Sequence, residues 1–399
     1  MIPAGQGGDG ALGVERVAPE AWEEIDDWEE LIAESAAPSI FLTRDWITAW
    51  WANFGTGIDP CLLRITRGDG RTLGIAPLYL ERLRVPARRL GVLGDRVVGS
   101  EYLGLAARRG SEAEVARATA GWLAMERPSW HLADLSGLRE SDPAAQEFER
   151  VLRAGAARVD EQQHPCSAIE LPDDFEDYLA RLSSKFRQRY RQRTNKLLRS
   201  CDVRFLRTGS EAELPAHLDA LFRLHQARWT QTGRPGVFAD PLMRSFYLDV
   251  SRRLLRSGRL RFWQLEANGG IRASQFAFAY DGVLHSLQEA YDAEFSVPGV
   301  GGLGVTLRGQ VLRAAIEEGL RNYDFLGGVE DHKLRWGASV HTVRRVRLAR
   351  RGAAGRVAWL AEVGAGSARE SVKSTVPEHV LDALRTVRAG YHRRRGWRE

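Results

Sequence analysis

Four glycines, Gly299, Gly301, Gly302 and Gly304, lie between a β-rich stretch and a helix-forming one. Glycine leaves backbone N–H groups open to close approach by an anion. A helix N-terminus behind them adds about half a positive charge and unpaired donors. Val297, Gly299, Val300, Gly301, Gly302, Leu303 and Gly304 are therefore candidates to cradle a pyrophosphate. The loop is not a Walker A sequence, because no Gly-Lys-Ser/Thr follows. Gly299-x-Gly301-x-x-Gly304 has dinucleotide spacing, but it follows an antiparallel meander and lacks the early βαβ context. A flexible connector is the plainer reading of the same residues.

Candidates for proton transfer flank this loop. Asp324 lies between Tyr323 and Phe325 on a short strand. An acid between apolar neighbours on a buried strand is either paired or shifted in pKa, so it is a candidate base. The alternative is a structural acid paired with Arg335 or Lys333. Lys333 shares a motif with Trp336 and could bind an acidic substrate or phosphate, or hold Asp324. His225 sits on the apolar side of its helix, four residues before Trp229, where a core histidine and a catalytic one are both open. Glu289 and Tyr291 end the strand before the glycines, and Glu289 is either a base or a solvated side chain. Cys61, Cys166 and Cys201 show no metal spacing, no disulfide framework and no neighbouring His that would activate them, which suits a reducing cytoplasm.

These residues need elements to hold them. Helices are expected over 175–198, 214–229 and 241–255, the last opened by Pro241. Strands follow over 259–267, 271–280 and 283–291, joined by Asn268-Gly269-Gly270 and Asp281-Gly282, which are hairpin turns. The glycine loop then leads into a helix ending at Glu318-Gly319, and a strand over 322–326 closes the unit. An earlier region mixes helix and strand in the same way. Trp46, Ile47, Trp50, Trp51 and Phe54 recur at helical spacing and read as core. Asp69-Gly70 joins the strands 61–66 and 72–80, and a further strand is expected over 130–135. In the second region only the last part crosses over, so a mixed, mostly antiparallel sheet is implied instead of a doubly wound one.

The 399 residues, 44% hydrophobic and 27% charged, are enough for two folded domains. Residues 1–13 read as a loose tail and not a signal peptide, and no apolar run of about 18 residues could span a membrane. The net charge of +5 is concentrated in two blocks. One holds Lys185, Arg187, Arg189, Arg191, Arg193 and Lys196 without an acid; the other holds Arg393, Arg394, Arg395 and Arg398. Such patches attract anions, although a solvated helix face is the ordinary reading.

Taken together, several stretches resemble the CelD-like, BioF2-like acyltransferases of the GNAT superfamily. They are Phe41-Leu42-Thr43-Arg44-Asp45-Trp46 with Trp50-Trp51, Gly74-Ile75-Ala76-Pro77-Leu78-Tyr79, and Phe175-x-x-Tyr178-x-x-x-Leu182 leading into Lys185-Phe186-Arg187. Further on come Leu224-His225-x-x-Arg228-Trp229, Val297-Pro298-Gly299, Tyr323-Asp324-Phe325-Leu326-Gly327-Gly328 and His332-Lys333-x-Arg335-Trp336-Gly337. The likeness spans about residues 36 to 348.

The resemblance implies an α/β (α+β) fold of two GNAT-like lobes, each a mixed, mostly antiparallel sheet flanked by helices, as in the Fem transferases. The lobes would cover 14–165 and 166–350, followed by a basic tail over 351–399 with a helix at 377–388. The loop 297–304 would seat the pyrophosphate of acetyl-CoA or another acyl-CoA. Asp324, His225, Glu289 and Lys333 become candidates for catalysis, and Trp229, Tyr291, Arg335 and Trp336 for substrate contact. The loop departs from the superfamily pattern, since Gln/Arg-x-x-Gly-x-Gly/Ala is not reproduced and Ser296-Val297-Pro298-Gly299 replaces the commoner Ser-Pro-Gly. Acyl transfer needs a base for the acceptor, donors for the oxyanion and a proton for the thiolate, and no covalent nucleophile. The expectation is a cytoplasmic, metal-free acyltransferase acting on a small or saccharide acceptor related to the cell envelope. Peripheral membrane contact is compatible with the basic patches. Two alternatives stay open: a Fem-like transferase using aminoacyl-tRNA, gripped by the basic helix, and a non-catalytic module binding an anionic polymer.

Overall fold

The computed structural model describes residues 12–95, 98–125, 129–231, 233, 235–295 and 301–364. The expected tail helix at 377–388 and positions Val297, Gly299 and Val300 lie outside them. The strands are β1 (Gly13–Val17), β2 (Asp59–Thr66), β3 (Thr72–Arg82), β4 (Arg88–Val92), β5 (Ala106–Ala107), β6 (Leu132–Arg139) and β7 (Ala156–Glu170). They continue with β8 (Val203–Arg207), β9 (Leu260–Ala267), β10 (Gly270–Tyr280), β11 (Val283–Tyr291), β12 (Asn322–Gly327) and β13 (Ser339–Arg350). The helices are α1 (Trp28–Glu34), α2 (Arg44–Phe54), α3 (Glu112–Met125), α4 (Pro143–Ala154), α5 (Phe175–Arg181) and α6 (Ser184–Ser200). After them come α7 (Leu214–Gln231), α8 (Pro241–Arg256), α9 (Leu303–Glu317), α10 (Asp331–Arg335) and α11 (Ala353–Trp359).

The strands form one mixed sheet in the order β1-β2-β3-β4-β6-β13-β7-β12-β11-β10-β9-β8, with β5 on β3. The order is a near-palindrome. Each half is an antiparallel run ending in one parallel pair, β4 with β6 and β11 with β12. The halves then exchange their last strands: β7 leaves the N-terminal half to pair with β12, and β13 returns to pair with β6. The two lobe sheets anticipated from the sequence are therefore fused into one.

Local chemistry explains the elements. Asn268 and Gly269, and Asp281 and Gly282, take positive φ (51°, 75°, 46° and 73°), the paired left-handed conformation of a tight hairpin turn. Asp240 caps α8 by accepting from the Leu242 N–H, with Pro241 in the first turn. The helix expected over 175–198 is broken in two. Leu182 is extended, and the Ser183 hydroxyl accepts from the Phe186 N–H, so it ends α5 and starts α6.

An aromatic seam joins the halves. Trp46 of α2 meets Phe246 of α8 edge-on at 5.3 Å and Phe278 of β10 at 5.5 Å. Arg259 adds ion pairs to Glu29 and Asp45 across the same seam. On the other side of the sheet α6 lies on α9, where Gly309 lets the ring of Tyr190 approach: a Cβ there would fall 2.3 Å from the Tyr190 hydroxyl. Gly309→Ala is expected to destabilise the fold by about 1–3 kcal/mol through overpacking. Denaturant titration should show a lower midpoint at unchanged slope.

Candidate functional site

The parallel strands β11 and β12 pair over only three residues, Val283 with Asn322, Leu284 with Tyr323 and His285 with Asp324. They then diverge. Beyond Asp324, β12 is irregular and rejoins β7 at Gly327, opposite Cys166. β11 stays with β10 but bulges at Leu287, since Phe276 opposes Gln288 while Ala277 opposes Ser286. The result is a wedge-shaped split between the two strands. Leu284 and Tyr323 point to the α9 face, and His285 and Asp324 to the other.

On the α9 face lies a cavity of about 510 Å3, lined by Gly301 to Gly304, Arg193, Arg228, Tyr291, Glu289, Arg308 and His332. Gly302 is the N-cap of α9, in the left-handed conformation at φ 84°, and no side chain caps the helix. The start of α9 therefore lies at the edge of this cavity, with N–H groups that no side chain of the N-cap satisfies. Gly304 lets the helix close on Tyr291, where an added Cβ would lie 3.2 Å from the ring. The Arg228 guanidinium stands 5.7 Å from the same ring. The described part of the expected loop, with Tyr291, thus comes together around one cavity.

Glu289 is held in place instead of being free to accept protons. Its carboxylate takes both the Nε (3.0 Å) and a terminal nitrogen of Arg308. Tyr323 donates its hydroxyl to it at 3.2 Å and Ser286 at 3.3 Å, while Gln275 donates to the Tyr323 hydroxyl at 2.6 Å. Burial pushes Glu289 up, but Arg308, His332 and the Tyr323 hydroxyl together outweigh it and hold the carboxyl below the usual range. It is an ionised partner and a weak base.

On the opposite face Asp324 meets neither Arg335 nor Lys333. It accepts from the Tyr102 hydroxyl at 2.6 Å and from the Leu326 N–H at 2.7 Å. His285 Nδ1 lies 3.5 Å away. Burial is outweighed by His285, Tyr102 and the Leu326 N–H, so the carboxyl lies below its ordinary value. Asp324 therefore serves as an anionic anchor: it holds Leu326 in its left-handed conformation (φ 59°) and orients Tyr102. Tyr102 also has positive φ (53°) and lies 2.9 Å from His341 Nε2. A second cavity of about 300 Å3 opens here between the halves, lined by Tyr102, Arg139, Asp281, His285, Asp324 and His341.

Other expected residues are drawn elsewhere. Lys333 donates to the carbonyls of Gly327 (2.6 Å) and Gly328 (3.2 Å) and pairs with Glu330, clamping the turn after β12. Arg335 is exposed and 3.8 Å from Asp331. Trp336 is core: it packs on Phe186 at 4.9 Å and Tyr190 at 5.6 Å, and its carbonyl accepts from the Tyr178 hydroxyl. His225 Nε2 accepts from Trp229 Nε1 at 2.9 Å within the Phe222–Phe238–Tyr247 cluster, and lines neither cavity. Burial lowers its pKa, so it is a neutral core histidine. The structure adds Arg308, His285, Tyr102, His341 and Glu101. Tyr323, Ser286 and Arg308 follow an apolar pattern in which no single residue signals the network. Among the described residues no group of His, Cys, Asp and Glu is placed to hold a metal ion.

A mixed sheet whose parallel pair splits beside an open helix N-terminus is the arrangement of the GNAT fold. Residues 184–334 match the family model described as an acetyltransferase (GNAT) domain. Among solved structures the chain is similar to FemX, with 10% identity, a TM-score of 0.60, and coverage of 83% of this chain and 96% of that one. It is also similar to a conserved protein of unknown function from Bacteroides thetaiotaomicron, with 11% identity, a TM-score of 0.53, and 85% and 100% coverage. L-PGS from Bacillus licheniformis follows, with 11% identity, a TM-score of 0.50, and 84% and 95% coverage. At such identities these likenesses concern the fold. No curated protein matches the chain.

Because Arg308 is buried, Glu289→Ala should leave an unpaired charge and lower stability by about 3 kcal/mol. Thermal and denaturant unfolding would check this; an unchanged midpoint would show that Glu289 is free for another role.

Proposed function

We propose that the protein transfers an acyl group, in the simplest case acetyl, from acyl-CoA directly to an acceptor bound in the cleft between its halves. The single observation that carries this reading is the β11/β12 split beside the uncapped, glycine-rich N-terminus of α9. The diphosphate of CoA would meet the N–H groups at Gly301–Gly304, flanked by Arg193 and Arg228. The thioester arm would then lie in the split, where the missing ladder leaves backbone groups free to bond it. The reaction is acyl transfer by proximity with base assistance, and a small or saccharide acceptor suits the cleft.

An aminoacyl ester of RNA is the second reading, favoured by α6. Lys185, Arg189, Arg193 and Lys196 are exposed at spacings of four, four and three, so they share one face that ends at the cavity. Nucleic acid co-purifying with the protein, seen as a raised 260/280 nm absorbance ratio, would favour it.

Calorimetric titration with acetyl-CoA tests the first reading. Gly301 has open space at its Cβ position, so Gly301→Asp adds negative charge without a clash. Wild type should bind in the micromolar range, and the variant at least about tenfold more weakly, which is about 1.4 kcal/mol. Absence of binding by wild type to acetyl-CoA and to longer acyl-CoA would sink the reading.

A further inference from the structure

We propose that the cavity between the halves, outside the β11/β12 split, is a binding site for a small hydroxycarboxylate whose carboxylate pairs with Arg139. Its occupant is a second ligand, neither the donor nor the acceptor of the transfer, so the assignment does not rest on the acyl-CoA reading above.

The starting observation is a guanidinium without a counter-charge. Arg139 ends β6, is mostly buried and lines the cavity, with its guanidinium 5.1 Å from the centre of the Tyr102 ring. One terminal nitrogen donates to the carbonyls of Ala37 and Pro38, which carry no charge. The Nε is buried without a partner, and among the described residues no carboxylate stands within ion-pair distance of the group. Arginines buried outright are treated otherwise. Arg108 meets Glu30 and Glu34, Arg308 meets Glu289, and Arg347 meets Asp160. At Arg308 burial is outweighed by Glu289 and the pKa is raised; at Arg139 burial outweighs Asp142, Tyr102, Asp324 and Asp281 and the pKa is lowered. A charge taken out of water without a partner is costly, so Arg139 calls for an anion.

The acids around the cavity do not supply it, because each is committed elsewhere. Asp324 accepts from the Tyr102 hydroxyl and the Leu326 N–H, with His285 Nδ1 at 3.5 Å. Asp142 caps α4 by accepting from the N–H groups of Ala144 and Ala145. Asp281 is exposed and lies 3.6 Å from Arg321. His341 Nε2 lies 2.9 Å from the Tyr102 hydroxyl. The group missing at Arg139 is therefore the carboxylate of a ligand, which a guanidinium binds through charge-assisted hydrogen bonds.

The rest of the wall sets the body of the ligand. The Tyr280 hydroxyl is buried without a partner, and His285 Nδ1 makes no hydrogen bond. Each can donate or accept, and a ligand hydroxyl can answer either way. Ser141 and Asn322 add polar side chains, and the volume of about 300 Å3 restricts the occupant to a small molecule. Position separates it from the transfer. The cavity lies against Val283, His285, Asn322 and Asp324, the stretch where β11 and β12 are still paired. Leu287 and Gly327, where the strands have parted, do not line it. Pro38, Tyr102 and Arg139 come from one half and Tyr280, His285 and Asn322 from the other, so the occupant is clasped by both.

Calorimetric titration of the full chain would use glycerate and lactate as probes. Propionate lacks the hydroxyl, glycerol lacks the carboxylate, and phosphate serves as an inorganic anion. Glycerate and lactate should bind one to one with a Kd of about 1 mM or below, and propionate at least about threefold more weakly. Glycerol and phosphate should show no comparable binding. Arg139→Gln should weaken glycerate at least about tenfold. Asn322→Asp sets a negative charge on the wall without touching Arg139, and should weaken glycerate at least about threefold; it decides the matter if Arg139→Gln does not fold. Wild type that binds neither glycerate nor lactate, or glycerate affinity unchanged in the folded variants, overturns the site. Phosphate or propionate binding as tightly as glycerate overturns the ligand class. Release of CoA thiol from acetyl-CoA that depends on glycerate or lactate makes the occupant the acceptor and overturns its separation from the transfer.

Discussion

The antiparallel pairing of β7 with β13 is the constraint on which the rest of the molecule depends. It runs from Ser339 opposite Ala168 to Arg350 opposite Ala156, and it joins the two halves edge to edge at the centre of the sheet. Each of these strands belongs by chain order to one half and by its other partner to the opposite half. Neither half can close its sheet without a strand from the other. The ladder also carries charge. Arg347 pairs with Asp160, and Arg344 with Glu161 and Glu149, so strands with few apolar side chains are still worth burying. Because the exchange fixes the halves edge to edge, Gly99 and Glu101, after β4, lie against Leu287 of β11 and Gly327 of β12.

Two carboxylates near the β11/β12 split, Glu289 and Glu101, show how one architecture produces two chemical states. Glu289 faces α9, where Arg308 meets it with two nitrogens in the paired geometry available to a guanidinium. Glu101 faces the other half, where burial and the like charge of Asp324 raise its carboxyl to about 7, and the opposing Lys333 ammonium is shared with Glu330 and two carbonyls. One environment favours the charged form, and the other resists it. Pairs of acids driven apart in this way are how a fold divides the tasks of holding and moving protons.

Much of this was legible in the sequence, for local reasons. Asn268-Gly269 and Asp281-Gly282 require positive φ, which names the hairpins, and Pro241 behind Asp240 names a helix start. The glycines at 301–304 announce an open helix N-terminus because the reason for them lies within a few residues. Their motif context, more than any single residue, carried the superfamily. What stayed hidden depends on contacts distant in sequence. β7 reads as a polar stretch, Ala156-Ala157-Arg158-Val159-Asp160-Glu161, until the arginines of β13, over 180 residues later, are set against it. Asp324 reads as a buried acid from its apolar neighbours and is buried, but the partner that defines its role, Tyr102, is 222 residues away. Gly99-Ser100-Glu101-Tyr102 has the composition of an ordinary connector.

The near-palindromic strand order explains why a doubled fold offers one split and not two. A parallel pair that parts creates a slot with unpaired backbone groups, and an empty slot of that kind is costly to bury. Each half must fill its slot or expose it to a ligand. In the N-terminal half Tyr79 and Asp95 fill it, with burial raising the Asp95 carboxyl to about 7 against the opposing hydroxyl of Tyr79 and guanidinium of Arg89. In the C-terminal half the bulge at Leu287 and the turn at Leu326 hold the slot open, at the cost of a non-glycine residue in the left-handed region. Filling one slot frees the connection above it from lining a cavity of its own. Gly99 and Glu101 of that connection lie instead against Leu287 and Gly327 of the other half.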